Sequence, residues 1–272
     1  MLFRSAGAPS EPPPELALDL QIPKSVGAEK RPLVVLLHGL GGTGRATVKL
    51  LAIPEIAEER RFVYAAPDGA MSNLKAQYWN ASKACCDFDR AHPDHVGMLR
   101  RALAKAKTHR NVDPARIYLV GFSNGGFFAH RAACEIEDVA AIASIAGAGP
   151  AEGEACAPTH SVRVLEVHGD ADKAVRYEGG RVLDKAFAPT HPGARATVDG
   201  WALREGCSGA PSSAGAIDFE DKIEGAETTV LRFSGCKAPV ELWTVKGGTH
   251  YLASTKKGIE AVWSFLDRGG AK

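Results

Sequence analysis

Residues 116–135, RIYLVGFSNGGFFAHRAACE, constrain the fold of this chain more than any other stretch. An apolar run of Ile117, Tyr118, Leu119 and Val120 meets a serine flanked by glycines, and helical periodicity then begins with Phe127, Phe128, Arg131 and Ala132. The pattern reads as strand, sharp turn, helix, with Ser123 at the turn. Gly121-Phe122-Ser123-Asn124-Gly125 fits G-x-S-x-G, a nucleophile elbow in which strained backbone lifts the serine clear of a sheet. Because the chain holds 29 glycines, the five-residue pattern alone decides little. It arises by chance in roughly one chain in ten of this length, so its neighbours must carry the reading.

The 272 residues suit one domain, read as 15–272 behind a disordered lead at 1–14 rich in proline and alanine. With 33 basic against 32 acidic side chains the net charge is +1, which points away from nucleic acid and anionic membranes. No apolar run reaches the length of a bilayer span. The first residues lack the apolar core of a signal peptide, so the protein is either cytosolic or separated from its leader. Cys85, Cys86, Cys134, Cys156, Cys207 and Cys236 form no C-x-x-C and no zinc spacing with histidine, so no metal is expected. An even count spread through loops favours disulfides and a secreted or periplasmic protein, with six buried thiols as the other reading.

In chain order, Leu16, Leu18, Leu20 and Ile22 alternate with polar residues as in an antiparallel edge strand. The apolar run 33–37 reads as a central strand buried on both faces. It empties into His38-Gly39-Leu40-Gly41-Gly42-Thr43-Gly44, where G-x-G-x-x-G permits a dinucleotide-binding loop. The competing reading is a loop whose backbone amides face the nucleophile, and only that reading explains this loop and the serine elbow together. Strand 62–66, an irregular aromatic and cysteine-bearing loop at 70–89, and a helix marked by Val96, Leu99, Leu103 and Ala106 follow. His92 and His95 at its start read as a solvent-facing helix entry rather than metal ligands. Strands are expected at 139–145, 162–167, 230–233 and 240–245, and helices at 178–187, 195–204 and along Ile259, Val262, Trp263 and Leu266. Strands each followed by a loop and a helix build a mostly parallel α/β sheet whose site lies beyond the carboxyl ends of the strands.

A serine hydroxyl needs a histidine to take its proton and a carboxylate to fix that histidine's tautomer. In the α/β-hydrolase order of serine, acid, histidine, Asp172 follows a late strand and His250 the last one. His168 lies too close to its strand and precedes the acid. Asp170 is the rival acid, read as a turn former because the loop must extend further to reach the histidine. The oxyanion is assigned to the backbone amides of Asn124 and Leu40.

The segments LVVLLHGLGGTG, FVYAAPDG, WNASKACC, VDPARIYLVGFSNGGFFAHRAACE, VLEVHGDADKAVRYEGG and GGTHYL, in that order, resemble the polyhydroxybutyrate depolymerase and feruloyl esterase group of secreted serine esterases. The resemblance implies an α/β-hydrolase fold without a large lid, no cofactor and hydrolysis of carboxylic esters. It places Ser123 as nucleophile, Asp172 as acid and His250 as base, and it implies a Cys207–Cys236 disulfide. For the other four cysteines, pairing of Cys85 and Cys86 with Cys134 and Cys156 is preferred to a vicinal bridge. The chain departs from the group at Thr249 and Tyr251-Leu252 around the histidine, and at His95, where a second aspartate is usual.

The leading expectation is therefore a monomeric serine esterase acting on feruloyl or acetyl polysaccharide esters or on a polyester such as polyhydroxybutyrate. Gly41, Trp79, Phe122, Trp201 and Tyr251 are the expected substrate contacts, with Tyr78 and Trp243 as further members of an aromatic wall. A serine peptidase on the same fold is the nearest alternative. A binding protein that keeps only the scaffold is the alternative from another class, and an intact triad argues against it.

Overall fold

The computed structural model describes residues 15–268; the lead expected at 1–14 lies outside them. After a short 3-10 turn the chain runs β1 (Arg31–Leu37), α1 (Gly44–Leu50), α2 (Ile53–Arg60), β2 (Val63–Ala65), a hairpin of β3 (Ala70–Met71) and β4 (Gln77–Tyr78), and α3 (His95–Ala106). β5 (Val112–Phe122), α4 (Asn124–Glu135), β6 (Val139–Ile145) and β7 (Arg163–Gly169) form its centre. A hairpin of β8 (Gly179–Gly180) and β9 (His191–Pro192) precedes α5 (Ala194–Arg204), β10 (Gly209–Ile217), β11 (Thr228–Ser234), β12 (Val240–Val245) and α6 (Lys256–Leu266).

Eight strands make one sheet in the order β10-β11-β12-β7-β6-β5-β1-β2. From β12 to β2 every pairing is parallel, and β10 and β11 add an antiparallel edge. Along β1, Leu33, Val35 and Leu37 join one buried cluster while Val34 and Leu36 join the other. That is why the run is apolar at every position: a parallel strand covered by helices on both faces has no wet side. Each such leucine contributes about 2 kcal/mol of burial. This is the α/β-hydrolase fold, and it brings the carboxyl ends of β1, β5, β7 and β12 to one rim.

Four expectations need correction. Residues 15–22 form no strand and touch the sheet's edge through a single bridge, Gln21 to Tyr64. Their alternation reflects packing, with Leu16 buried and Leu18 and Leu20 half-buried against the core, and Pro23 ends the segment. Residues 178–187 do not form the expected α-helix, only a single distorted 3-10 turn at Val182–Asp184, since Gly179 and Gly180 sit at φ 90° and 143° and Leu183 and Asp184 at 53°, all outside right-handed α-helical space. The loop 70–89 contains the β3–β4 hairpin. β10 was not anticipated, because an edge strand of glycine, alanine and serine with a mostly exposed surface carries no hydrophobic alternation.

Candidate active site

β5 ends at Phe122 and α4 begins at Asn124, so Ser123 alone turns the chain, at φ 53° and ψ −119°. Such a conformation costs a non-glycine residue about 1–3 kcal/mol and persists only where its surroundings hold it. Here the Ser123 amide donates to the Ile145 carbonyl at 2.8 Å, and the Gly126 amide donates to the Ser123 carbonyl at 2.8 Å. Both flanking glycines are sterically required. A Cβ at Gly121 would collide with the Gly125 carbonyl, and one at Gly125 with the Leu37 carbonyl.

His250, in the loop after β12, places Nε2 2.9 Å from Ser123 Oγ and Nδ1 2.7 Å from Asp172 Oδ2. The Nδ1–H therefore donates to the carboxylate and leaves Nε2 free to accept the serine proton. Asp172, three residues beyond β7, is locked from its other side: Oδ1 accepts from the amides of Ala174 at 2.8 Å and Val175 at 3.0 Å. Burial opposes ionisation of Asp172, and hydrogen bonds from His168 and His250 outweigh it, holding the carboxyl well below the usual carboxylate range. Asp170 does not face His250; its Oδ1 accepts from the Gly247 amide at 2.6 Å and clasps the histidine loop.

The glycine-rich loop lies against the elbow. A Cβ at Gly39 would stand 3.0 Å from the Phe122 ring and 3.3 Å from Ser123 Cβ. His38 Nε2 accepts from the Gly69 amide at 2.9 Å, so Nδ1 carries the proton and donates to the Gly39 carbonyl at 2.8 Å. That carbonyl also accepts from the Gly42 amide at 2.9 Å, which turns the N–H of the same peptide unit, that of Leu40, the opposite way. Among the described residues neither the Leu40 nor the Asn124 amide meets a protein acceptor. At the other end of the loop the Gly44 amide, where a dinucleotide phosphate was one reading, is bound by Asp68 Oδ1 at 2.7 Å.

The expected aromatic contacts divide. Phe122 lies with its ring centroid 5.3 Å from that of His250, and Tyr251, 73% exposed, stands 5.6 Å from Phe122. These two form the rim, with Leu40. Trp79 and Trp201 are fully buried and cannot touch a substrate. Trp79 stacks on Phe128 and donates from Nε1 to the His38 carbonyl, while Asn124 Oδ1 and Nδ2 grip its backbone at 2.7 and 2.9 Å. Trp201 donates from Nε1 to His130. Tyr78 and Trp243 are likewise buried. Gly41, at φ 72°, spends its amide on the Gln77 carbonyl. Each of the buried aromatics follows or lies in a regular element, where a tryptophan in sequence reads equally as core or as wall.

Disulfides join Cys207 to Cys236, Cys134 to Cys156, and Cys85 to Cys86. The last two correct the preferred cross-pairing: Cys134, at the end of α4, meets Cys156 on a surface loop, and the buried vicinal pair closes on itself beside Asn124 Nδ2. His95 is buried rather than solvent-facing, and its Nδ1 accepts from the Asn80 amide at 2.8 Å. The described residues gather no group of three or more His, Cys, Asp or Glu as a metal site. What the sequence reading missed is polar and internal: Glu166, His168 and His130 lie buried behind Asp172. A glutamate inside the strand 162–167, flanked by Val164, Leu165 and Val167, and a histidine at its end were the available signal, since a central strand rarely carries charge without a partner.

A serine elbow, a histidine after the last strand and a carboxylate after a late strand meet at one rim of an α/β-hydrolase fold. The chain belongs to the dienelactone hydrolase family, whose sequence model matches residues 19–198. It is similar to feruloyl esterase B of Piromyces equi, 28% identical over 246 residues, covering 88% of this chain and 43% of that protein. The chain thus spans less than half the length of that relative. Among solved structures it resembles acetyl xylan esterase from Aspergillus awamori, with TM-score 0.65, 13% identity and coverage of 91% and 92% of the two chains. It also resembles esterase PE8, with TM-score 0.59, 20% identity and coverage of 93% and 98%. At these identities the structural likeness speaks for the fold.

Proposed function

We propose that this chain is a serine carboxylic ester hydrolase working through an acyl-enzyme, with Ser123, His250 and Asp172 as its triad. The observation that carries the reading is the unbroken relay from Ser123 Oγ through both nitrogens of His250 to Asp172, at 2.9 and 2.7 Å. Ser123 Oγ attacks the ester carbonyl carbon as its proton passes to His250 Nε2. The resulting imidazolium is stabilised by Asp172, and the carbonyl oxygen, now anionic, takes the Leu40 and Asn124 amides. Collapse breaks the bond to the alkoxy oxygen, which leaves as an alcohol with the proton from His250. Water then repeats the sequence and frees the acid.

The relatives' names and a rim of exposed Leu40 and Tyr251 with half-buried Phe122 support esters of feruloyl or acetyl groups on polysaccharides, with an aliphatic polyester such as polyhydroxybutyrate as the second candidate. Three disulfides support a secreted or periplasmic setting. We take residues 15–272 as one catalytic unit acting as a monomer. The test is a panel of methyl ferulate, acetylated xylan and polyhydroxybutyrate, with p-nitrophenyl acetate as a reference, run on wild type and Ser123→Ala together. Hydrolysis that survives Ser123→Ala overturns the nucleophile, and a ranking led by the polyester overturns the polysaccharide assignment.

A further inference from the structure

The polar relay does not stop at Asp172. β7 is an interior strand of the sheet, yet two of its seven residues, Glu166 and His168, are ionisable and fully buried. His168 Nε2 lies 2.8 Å from the Val175 carbonyl oxygen and 3.4 Å from Asp172 Oδ2. Its Nδ1 lies 3.1 Å from Glu166 Oε1. Glu166 Oε2 in turn lies 3.0 Å from His130 Nε2, and Trp201 Nε1 lies 2.9 Å from His130 Nδ1. His130 stands on α4, seven residues after the serine at its head, so the chain of contacts links the helix of the nucleophile to the strand of the acid.

Counting donors settles the protons. An indole N–H only donates, so His130 Nδ1 accepts, and the His130 proton sits on Nε2 and is given to Glu166. A backbone carbonyl only accepts, so His168 Nε2 carries a proton. One proton remains between His168 Nδ1 and Glu166 Oε1. On Nδ1 it makes an imidazolium against a carboxylate that accepts at both oxygens, the charge-assisted arrangement. Burial disfavours the cation, and bonds to Asp172 and Glu166 outweigh it, raising His168 to about 9. Glu166 is held below its ordinary range against the same burial by bonds from His130 and His168. Around His168 stand also the edge of the Tyr177 ring, whose hydroxyl pairs with Thr244 Oγ1, and the buried His191, which burial pushes down.

We propose that His168 is a positioning residue for the catalytic carboxylate, held as an imidazolium by Glu166 and, through Glu166, by His130 and Trp201. It rests on the triad reading above. His168 binds the Val175 carbonyl while the Val175 amide binds Asp172 Oδ1, so one ring closes the 172–175 turn around the acid from both sides. Asp172 sits on a loop, where position is loosely kept. His168 sits on β7, so the acid takes its place from the rigid sheet rather than from the loop.

The experiment measures kcat and KM on p-nitrophenyl acetate for Ser123→Ala, Asp172→Asn, His168→Leu and His168→Gln, with 15N spectra of histidine-labelled wild type and Glu166→Gln. Ser123→Ala and Asp172→Asn test the triad alone, so failure there is seen separately. His168→Leu is expected to lower kcat by about tenfold or more with KM changed by less than about twofold. His168→Gln, whose amide N–H still reaches the Val175 carbonyl, is expected to recover most of the loss. The wild-type spectrum should show both ring nitrogens of His168 protonated at neutral pH, and Glu166→Gln should return the ring to neutral. Folded His168→Leu with wild-type kcat overturns the proposal, as does a neutral His168 ring in the wild type. Should His168→Leu not fold, the two spectra decide.

Discussion

His250 Nδ1 stands 2.7 Å from Asp172 Oδ2, whereas Asp170, two residues nearer the strand, commits its carboxylate to the Gly247 amide at 2.6 Å. Two aspartates on one short loop thus have separate tasks, one beneath the histidine ring and one across the base of its loop. Asp172→Asn keeps the shape and removes the charge, so kcat on a small ester should fall by about 10⁴-fold. Asp170→Asn should retain activity within about tenfold, since an amide oxygen can still accept from Gly247. Steady-state kinetics of the two variants side by side check this, and the reverse ranking moves the acid to Asp170.

The elbow makes a steric prediction. Alanine at Gly121 drives a methyl group into the Gly125 carbonyl in the first turn of α4, and alanine at Gly125 into the Leu37 carbonyl at the end of β1, so one cannot be relieved without shifting the helix of the elbow and the other without shifting the sheet. Each change should cost about 3 kcal/mol or more. Gly42→Ala, whose Cβ would meet the Gly39 carbonyl at 3.1 Å, should cost far less. Urea unfolding midpoints of the three variants give the comparison, and equal losses would contradict the close-approach argument.

The sequence carried the parallel centre of the sheet because its strands are covered on both faces and so read as nearly continuous apolar runs, as 33–37 in β1 and the alanine-, valine- and isoleucine-rich β6 illustrate. It also carried the order of Ser123, Asp172 and His250, since that order follows from strand ends. It did not carry β10, whose exposed small residues look like a loop, or the state of Trp79 and Trp201, because burial is a property of the packed molecule. Residues 178–187 misled for a different reason: their apolar spacing suits a helix, while Gly179 and Gly180 adopt positive φ that no periodicity reveals. Glu166 and His168 were visible as polar residues in a strand, yet their partners His130 and Trp201 come from other elements far along the chain.

Stability should decline on both sides of neutrality. Burial pushes His38, His95 and His191 down, His95 to about 4. In the unfolded chain these rings take up protons near 6.5, so their contribution is present above that value and is lost as pH falls through it toward 4. His168 has the opposite sign. Raised to about 9, it contributes fully below the unfolded value near 6.5 and loses that contribution as pH rises through 9. Urea midpoints measured at about pH 5, 7 and 10 should therefore peak at the middle value, and His168→Gln should flatten the alkaline arm alone. An alkaline arm unchanged in that variant would remove His168 as its source.

The edge hairpin offers the last test. β10 buries little and pairs only with β11, whose other side meets β12. The Cys207–Cys236 disulfide, closing 29 residues, ties the start of β10 and the end of β11 to the foot of α5. Restricting an unfolded loop of that length stabilises the fold by about 3–4 kcal/mol. The double variant Cys207→Ser/Cys236→Ser should lose about that much in urea unfolding, and its β10 amides should exchange with solvent faster than those of β5 and β6. Its kcat at 25 °C should stay within about twofold of wild type, because β12, which carries the His250 loop, is paired on its other side to β7. A collapse of kcat in the folded double variant would mean that the hairpin also sets the position of His250.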